Sequence, residues 1–465
     1  MFSLTDSSFK ANRRDFLRIG TLGLGGLTLS QLLGAKANAA TDGTSLADKS
    51  VIFLFQHGGP SQFETFDPKM SAPAEIRCQT GEIATALPGV TFGSTFPRLA
   101  RLADKIAVVR SYVPGDGNHD AKPIVHRETL GGNLGSYYSR VVGLNHPVTG
   151  MPTNTLLFPH AVDPAAQAQR FDLGNFPATG ALGNAFAPFM PGGNTTLQKD
   201  MRLAIPRSRL DDRQTLLAGF DTMRRKLDQS GTMEAMDRYQ RQALEMIVRG
   251  VSQAFDLSRE AARVVARYDT APLVHPDSIN KKWSNHKWYA DHGRTLGKLL
   301  LLARRLCEAG CGFVTVSTNF VWDMHADVNN APLTEAMGYV GRPFDHAVSA
   351  LIEDLEARGL SDRILLVACG EMGRTPRVNR EGGRDHWGNL GPLLIYGGGL
   401  RMGQVVGRST RDGGDPASDP IRIRNLIATI MHYLLDINKV RVMPGLSGDV
   451  SRVITEGEPI AQLVP

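Results

Sequence analysis

The strongest constraint on this chain is a series of short apolar runs, most of them followed by a polar loop that carries glycine. Val51–Phe55, Ile106–Arg110, Gly312–Ser317, Ile364–Cys369 and Leu393–Tyr396 read as strands. Successive strand residues point to opposite faces, so unbroken runs such as these need burial on both sides. Between them lie stretches with apolar residues at helical spacing: residues 96–105, the run GKLLLLARRLCEAG that follows Thr295, and Pro343 to Arg358. A further helix is expected over Lys122–Leu130, closed by Gly131 and Gly132. The alternation predicts an α/β fold, a mostly parallel central sheet with helices on both faces. Ligands of such sheets bind beyond the carboxyl ends of the strands, so the loops after each run hold the chemistry.

At 465 residues, 42% of them hydrophobic, the chain can bury a substantial core. Leucines and methionines at helical spacing across Arg207–Tyr268 predict a mainly helical insertion, residues 207–290, within one domain covering 40–465. Four cysteines, Cys78, Cys307, Cys311 and Cys369, read as buried free thiols; the Cys307–Cys311 spacing on a helix suits a disulfide poorly.

The N-terminus reads as an address. NRRDFLRIG (Asn12–Gly20) sets twin arginines before a glycine-rich apolar stretch, and Ala37-Asn38-Ala39 forms a small-x-small cleavage site. The order resembles a twin-arginine (Tat) export signal over residues 1–39. Thr21–Ala35 is short against the roughly 20 apolar residues a membrane span needs, and no later segment spans either. The Tat machinery is therefore an expected partner, and the mature protein is expected to be periplasmic or extracellular. Residues 1–39 hold five basic and two acidic side chains, so half of the formal net charge of +6 belongs to them. The remainder is too weakly basic to bind nucleic acid.

Polar groups recur just after the strand runs: His57; Asn118, His119 and Asp120; Asp323 and His325; Glu371; Asp385 and His386. A parallel sheet gathers such positions on one edge. Imidazoles and carboxylates together suit one or two divalent ions, zinc, calcium, manganese or magnesium, which activate water and neutralise charge on a phosphate or sulfate ester. Each piece also has a plainer reading. Asp120 can cap a helix, Glu371 can pair with Arg374, and His57 can be a satisfied core histidine.

Phe344–Gly373, FDHAVSALIEDLEARGLSDRILLVACGEMG, resembles the helix–strand–loop unit of the alkaline phosphatase/sulfatase superfamily. With HGGPSQFETFDP, WDMH, GEMGRTP and GRDHW, the whole mature chain resembles a Tat-exported branch of that superfamily, a domain of unknown function. The resemblance implies that Asp323, His325 and His386 hold one metal and that Glu371 serves a second. Met372 stands where the superfamily has a histidine, and Gln56-His57 where it has an aspartate. The nucleophile stays unassigned. NHDAKPIVHRETLGG has no Ser or Cys, so Asn118, His119 or Asp120 stands in, water activated at the metal attacks, or this branch lacks that chemistry.

The expectation is an exported metal-dependent hydrolase of phosphate or sulfate esters, on a small-molecule or polymer substrate. Metal ligands are drawn from Asp323, His325, Glu371, Asp385, His386, His57 and Asp120. Arg374 or Arg384 stabilises developing charge, with His119 as a catalytic group. The alternative is a non-catalytic exported binding or assembly protein that keeps the fold.

Overall fold

A computed structural model gives the structure, describing residues 49–192, 246 and 251–464. The export signal expected over 1–39, and residues 207–245 and 247–250 of the expected insertion, lie outside the described residues. The central sheet has seven strands: β1 (Ser50–Phe55), β2 (Ile106–Val109), β3 (Asn154–Leu157), β4 (Phe313–Ser317), β5 (Ile364–Cys369), β6 (Leu393–Gly397) and β7 (Gln404–Val406). Their spatial order is β7-β2-β6-β5-β1-β4-β3. All pairings are parallel except those of β6, which runs against both β5 and β2. The sheet is thus mostly parallel, and its middle is built from the runs that the sequence marks as buried on both sides. Its outermost strands, β3 and β7, are the ones not anticipated, being short and opening on polar residues.

The pleat sorts β1 onto two faces. Ile52 and Leu54, with Val314, Val316, Leu366, Ala368 and Leu394, join one core with the two long helices. Six helices matter here: α1 (Pro97–Arg101), α2 (Leu134–Val142), α3 (Ala262–Tyr268), α4 (His286–Glu308), α5 (Leu333–Ala357) and α6 (Ile423–Leu434). α4 and α5 pack on that core, while on the other side Gly135 of α2 lies against Phe313, and Tyr433 of α6 and Leu365 both border Gly398. All four cysteines are buried and free. Among the described residues no helix is long and apolar enough to cross a membrane.

Three helix expectations change. α4 starts at His286, before Thr295. α5 starts at Leu333 and carries Pro343 in its interior. A proline reads naturally as a helix's first turn, but Leu333, Met337, Val340, Phe344, Val348 and Leu351 keep one buried stripe running past it, so the helix continues despite the missing N–H. The helix expected over Lys122–Leu130 is replaced by turns and a single 3-10 turn at Arg127–Thr129. Pro123 restricts the residue before it, and Lys122 is held by Asp116, Asn118 and Asp120 instead. From residue 251 the expected insertion runs as 3-10 turns and α3, which packs on α4.

Gly297 shows how close that packing is. A Cβ there would lie 1.6 Å from the Tyr268 carbonyl oxygen, at the end of α3. Gly297→Ala is expected to destabilise by about 1–3 kcal/mol through overpacking. Gly338→Ala, in open space on α5, should be neutral or raise stability by up to about 1 kcal/mol. Thermal melts of the two variants check the contrast.

Candidate metal centre

Strand register decides which loops meet. Phe55 of β1 lies level with Ser317 of β4 and Cys369 of β5, and Cys369 pairs with Leu393, which pairs with Val109 of β2. The loops after β1, β2, β4 and β5 therefore leave one edge together. Four residues past the end of β5, the ribbon Gly373–Arg374 pairs antiparallel with His386–Trp387, setting Arg374 opposite His386. The first turn after β1 packs directly on the Asp323 loop. Gly58 has φ +113°, and a Cβ there would come within 2.5 Å of the Asp323 nitrogen, so only glycine fits.

Asp323 sits at the centre of the cluster. Its Oδ1 lies 2.8 Å from His325 Nε2, 3.3 Å from His386 Nε2 and 3.7 Å from His119 Nε2. Arg374 Nη2 donates to the same oxygen at 2.6 Å. His325 Nε2 and His386 Nε2 are 2.7 Å apart. One donor atom from each of His119, Asp323, His325 and His386 falls within 4.8 Å of all the others. A neutral imidazole carries one N–H and one lone pair, so these nitrogens and the shared oxygen hold more lone pairs than protons. A cation resolves that excess. Tetrahedral zinc, with bonds of about 2.0–2.2 Å, holds its donors about 3.3 Å apart, and the spacings here, from 2.7 Å up to no more than 4.8 Å, straddle that value. The donor set thus fits a borderline divalent ion.

Electrostatics favour the same protonation states. Burial works against the Asp323 charge, yet Arg374 and the hydrogen bonds of His325 and His386 hold its carboxyl far below the usual carboxylate range. Burial pushes His119 down to about 4, against the pull of Asp323, and lowers His386 as well. Both imidazoles are neutral near pH 7, as metal ligands must be. Side-chain exposure rises from 15% at His119 to 24% at His325 and 29% at His386, so the cluster opens to solvent on the His325–His386 side.

Two acids stand behind histidines rather than among the donors. Glu371 is fully buried, accepts N–H bonds from Gly58 at 2.9 and 3.1 Å, and faces His119 Nδ1 at 2.9 Å. Burial pushes its carboxyl up to about 7, opposed by His57 and by backbone N–H groups. An Nδ1–H donated to Glu371 leaves the His119 Nε2 lone pair facing Asp323. Asp385 is exposed, 3.4 Å from His325 Nδ1 and 3.2 Å from the Asn379 amide nitrogen. Asn379 also donates to the His325 carbonyl at 2.8 Å.

The other sequence candidates are not among the four donor residues of the cluster. His57 is fully buried among Phe55, Phe176 and Phe320, with Nε2 3.0 Å from the Leu173 carbonyl. Asp120 pairs with the Lys122 ammonium at 3.1 Å. Arg374 is buried with its donors on Asp323, Gly59, Arg384 and neighbouring carbonyls. Arg384 is also fully buried. It grips Glu64 through two bonds of 3.0 and 3.1 Å, lies 4.1 Å over the Phe63 ring, and donates to the Ile76 and Arg77 carbonyls.

Three contributors were not visible in the sequence. Lys122 is fully buried, its ammonium bonded to Asp116 at 2.8 Å, Asp120 at 3.1 Å and the Asn118 carbonyl at 2.9 Å, which folds the His119 loop around a cation. Glu64 balances Arg384, and Phe320 stacks edge-on against His119 with centroids 4.6 Å apart. A lysine normally signals surface, and nothing in the local pattern marks this one as internal.

Glu64→Gln strands the Arg384 charge in the interior and is expected to cost about 3–5 kcal/mol. Asp385→Asn, at an exposed carboxylate, should change stability by under about 1 kcal/mol. Denaturant titration of the two variants checks this.

Among solved structures the chain is similar to the PsFucS1 sulfatase from Pseudoalteromonas sp., at 11% identity over 92% of this chain and 75% of that one, TM-score 0.36. It is similar also to the lipoteichoic acid synthase LtaP from Listeria monocytogenes, at 6% identity over 84% and 72%, TM-score 0.33. A third is the phosphonate monoester hydrolase SpPMH from Silicibacter pomeroyi, at 11% over 83% and 73%, TM-score 0.28. No curated protein matches the chain significantly. Residues 48–464 fit the model of the family described as protein of unknown function (DUF1501), and the chain belongs to that family.

Proposed function

We propose that the chain is an exported, metal-dependent hydrolase of phosphate or sulfate esters, on an alkaline phosphatase/sulfatase-like fold. The convergence of three imidazole nitrogens and one carboxylate oxygen at the carboxyl edge of the sheet carries this reading. His119, Asp323, His325 and His386 are the proposed ligands. A divalent ion held there would polarise an ester oxygen and lower the pKa of water.

The surrounding residues have positioning roles in this reading. Glu371 orients His119 and Asp385 orients His325, each through Nδ1, so that both Nε2 atoms face the cluster. Arg374 holds Asp323 rather than reaching for substrate. Among the described residues, the polar side-chain partners of the four ligands are imidazole, carboxylate, carboxamide and guanidinium groups, which supports water rather than a side-chain hydroxyl as the attacking group. Substrate enters where His325 and His386 are exposed. The twin-arginine pattern and Ala37-Asn38-Ala39 support export to the periplasm or beyond, by way of the Tat machinery.

One contact favours a second reading, a non-catalytic exported binding or assembly protein. Arg374 at 2.6 Å already balances the Asp323 carboxylate without any ion. Elemental analysis of protein beginning at Ala40 separates the two. The hydrolase reading expects about one ion per chain. Asp323→Ala and His386→Ala should each lower that content by at least about tenfold and abolish release of p-nitrophenol from its phosphate or sulfate ester. Unchanged metal in both variants, or a metal-free protein indifferent to added zinc, manganese, calcium and magnesium, moves the assignment to the second reading.

A further inference from the structure

The stretch Asn280–Trp288, NKKWSNHKW, leads into α4 and holds two of the four tryptophans of the chain beside three lysines. Lys281, Lys282 and Lys287 are exposed, and Trp283 and Trp288 are half-buried. The Lys282 ammonium lies 4.1 Å from the Trp283 ring centroid. Arg170, from the loop that also supplies the Leu173 carbonyl to His57, stands 5.8 Å over the Trp288 ring.

Two lines of contact tie this patch to the histidine cluster. In the first, Ser284 and Asn285 donate backbone N–H bonds to the Val328 and Asn329 carbonyls at 3.3 and 3.1 Å. The Asn285 amide donates to Asn330 Oδ1 at 2.7 Å, and the Asn330 amide reaches Asp323 Oδ2 at 3.4 Å. In the second, the Trp288 ring meets the Phe320 ring with centroids 6.2 Å apart, and Phe320 meets His119 at 4.6 Å. Trp283 is pinned from below by its Nε1–H bond to Glu335, 2.9 Å. The patch is therefore a fixed lip beside the cluster, one side chain removed from two of its donors.

An indole left partly open next to separate cations has a specific chemistry. Its face accepts the C–H side of a pyranose ring, while the cations meet anionic substituents at the ring's rim. The patch is poorly suited to a nucleic acid backbone, which needs a continuous basic track. Arg170 is itself paired with Asp172, and the exposed Asp277 lies just before the stretch.

We propose that Trp288, Arg170 and the lysines of Asn280–Trp288 form a saccharide subsite, which binds one ring of an anionic polysaccharide while a neighbouring ring presents its ester to the cluster. This deepens the hydrolase reading and rests on it for the ester; the binding itself does not need the ion. The test is titration of the protein from Ala40 onward with dextran sulfate, unsubstituted dextran and poly(dT), followed by tryptophan fluorescence and calorimetry.

Dextran sulfate should bind, and dextran should bind at least about tenfold more weakly. Trp288→Ala should weaken dextran sulfate binding about tenfold. The combined Lys281→Ala, Lys282→Ala and Lys287→Ala variant, changed only at exposed positions, should do the same and gives the answer if Trp288→Ala fails to fold. His386→Ala, which disables the cluster, should leave dextran sulfate binding intact, so loss of the hydrolase reading and loss of the subsite are separate results. No binding of dextran sulfate overturns the proposal. So does wild-type affinity in a folded Trp288→Ala, or equally tight poly(dT) binding lost in the same variants, which would make the patch a general polyanion surface.

Discussion

The guanidinium of Arg374 holds the carboxyl-edge loops together. Without exposure to solvent, it donates to the carbonyls of Gly58 and Gly59 after β1, of Trp322 after β4, and of Arg384 beyond β5, and to the Asp323 carboxylate. Lysine, with its single ammonium centre, could not span these acceptors; a planar fork of five donors can. The cost of burying that charge is met by Asp323, which is why Asp323 stays ionised deep in the edge of the sheet. The histidines then gather around an anion whose position three loops already fix.

A second buried pair, Arg384 with Glu64, repeats this logic one layer away. It fastens the chain after His57 to the segment that carries Asp385 and His386. Lys122 does the same for the His119 loop, with surface acids folded back onto an internal ammonium. The site is thus framed by cations that face inward, while the imidazoles of His325 and His386 are the groups left facing the opening. A positive ion at the centre would be drawn there by lone pairs, not by an excess of negative charge.

The sheet was legible because its middle strands are apolar on both faces; Ile364–Cys369 and Val51–Phe55 have no other way to be buried. β3 and β7 were not, since Asn154-Thr155 and Gln404 carry no such signal. The site candidates are polar groups after the strands, and the fold brings His119, Asp323, His325 and His386 of them into one cluster, but position alone does not separate these from the others. His57 and His119 look alike in sequence. One is enclosed by Phe55, Phe176 and Phe320, two of them distant in the chain, while the other reaches Asp323. That the Glu371 oxygens lie on Gly58 and His119 is likewise invisible in the local sequence. The same holds for Arg384, whose partner Glu64 lies 320 positions away. These outcomes depend on long-range packing that no local spacing encodes.

The reversed direction of β6 has a consequence for how such a site can change. β5 leaves the carboxyl edge at Cys369 and β6 returns from that same edge, paired with it from Leu393. The chain from Gly370 to Pro392, with Glu371, Arg374, Asp385 and His386, is therefore a hairpin arm between adjacent strands, not a crossover wrapped around the sheet. Its ends stay fixed whatever its length. An arm of this kind can be lengthened or trimmed around Arg374 without rethreading the core, so the edge can change while the sheet beneath it keeps its register.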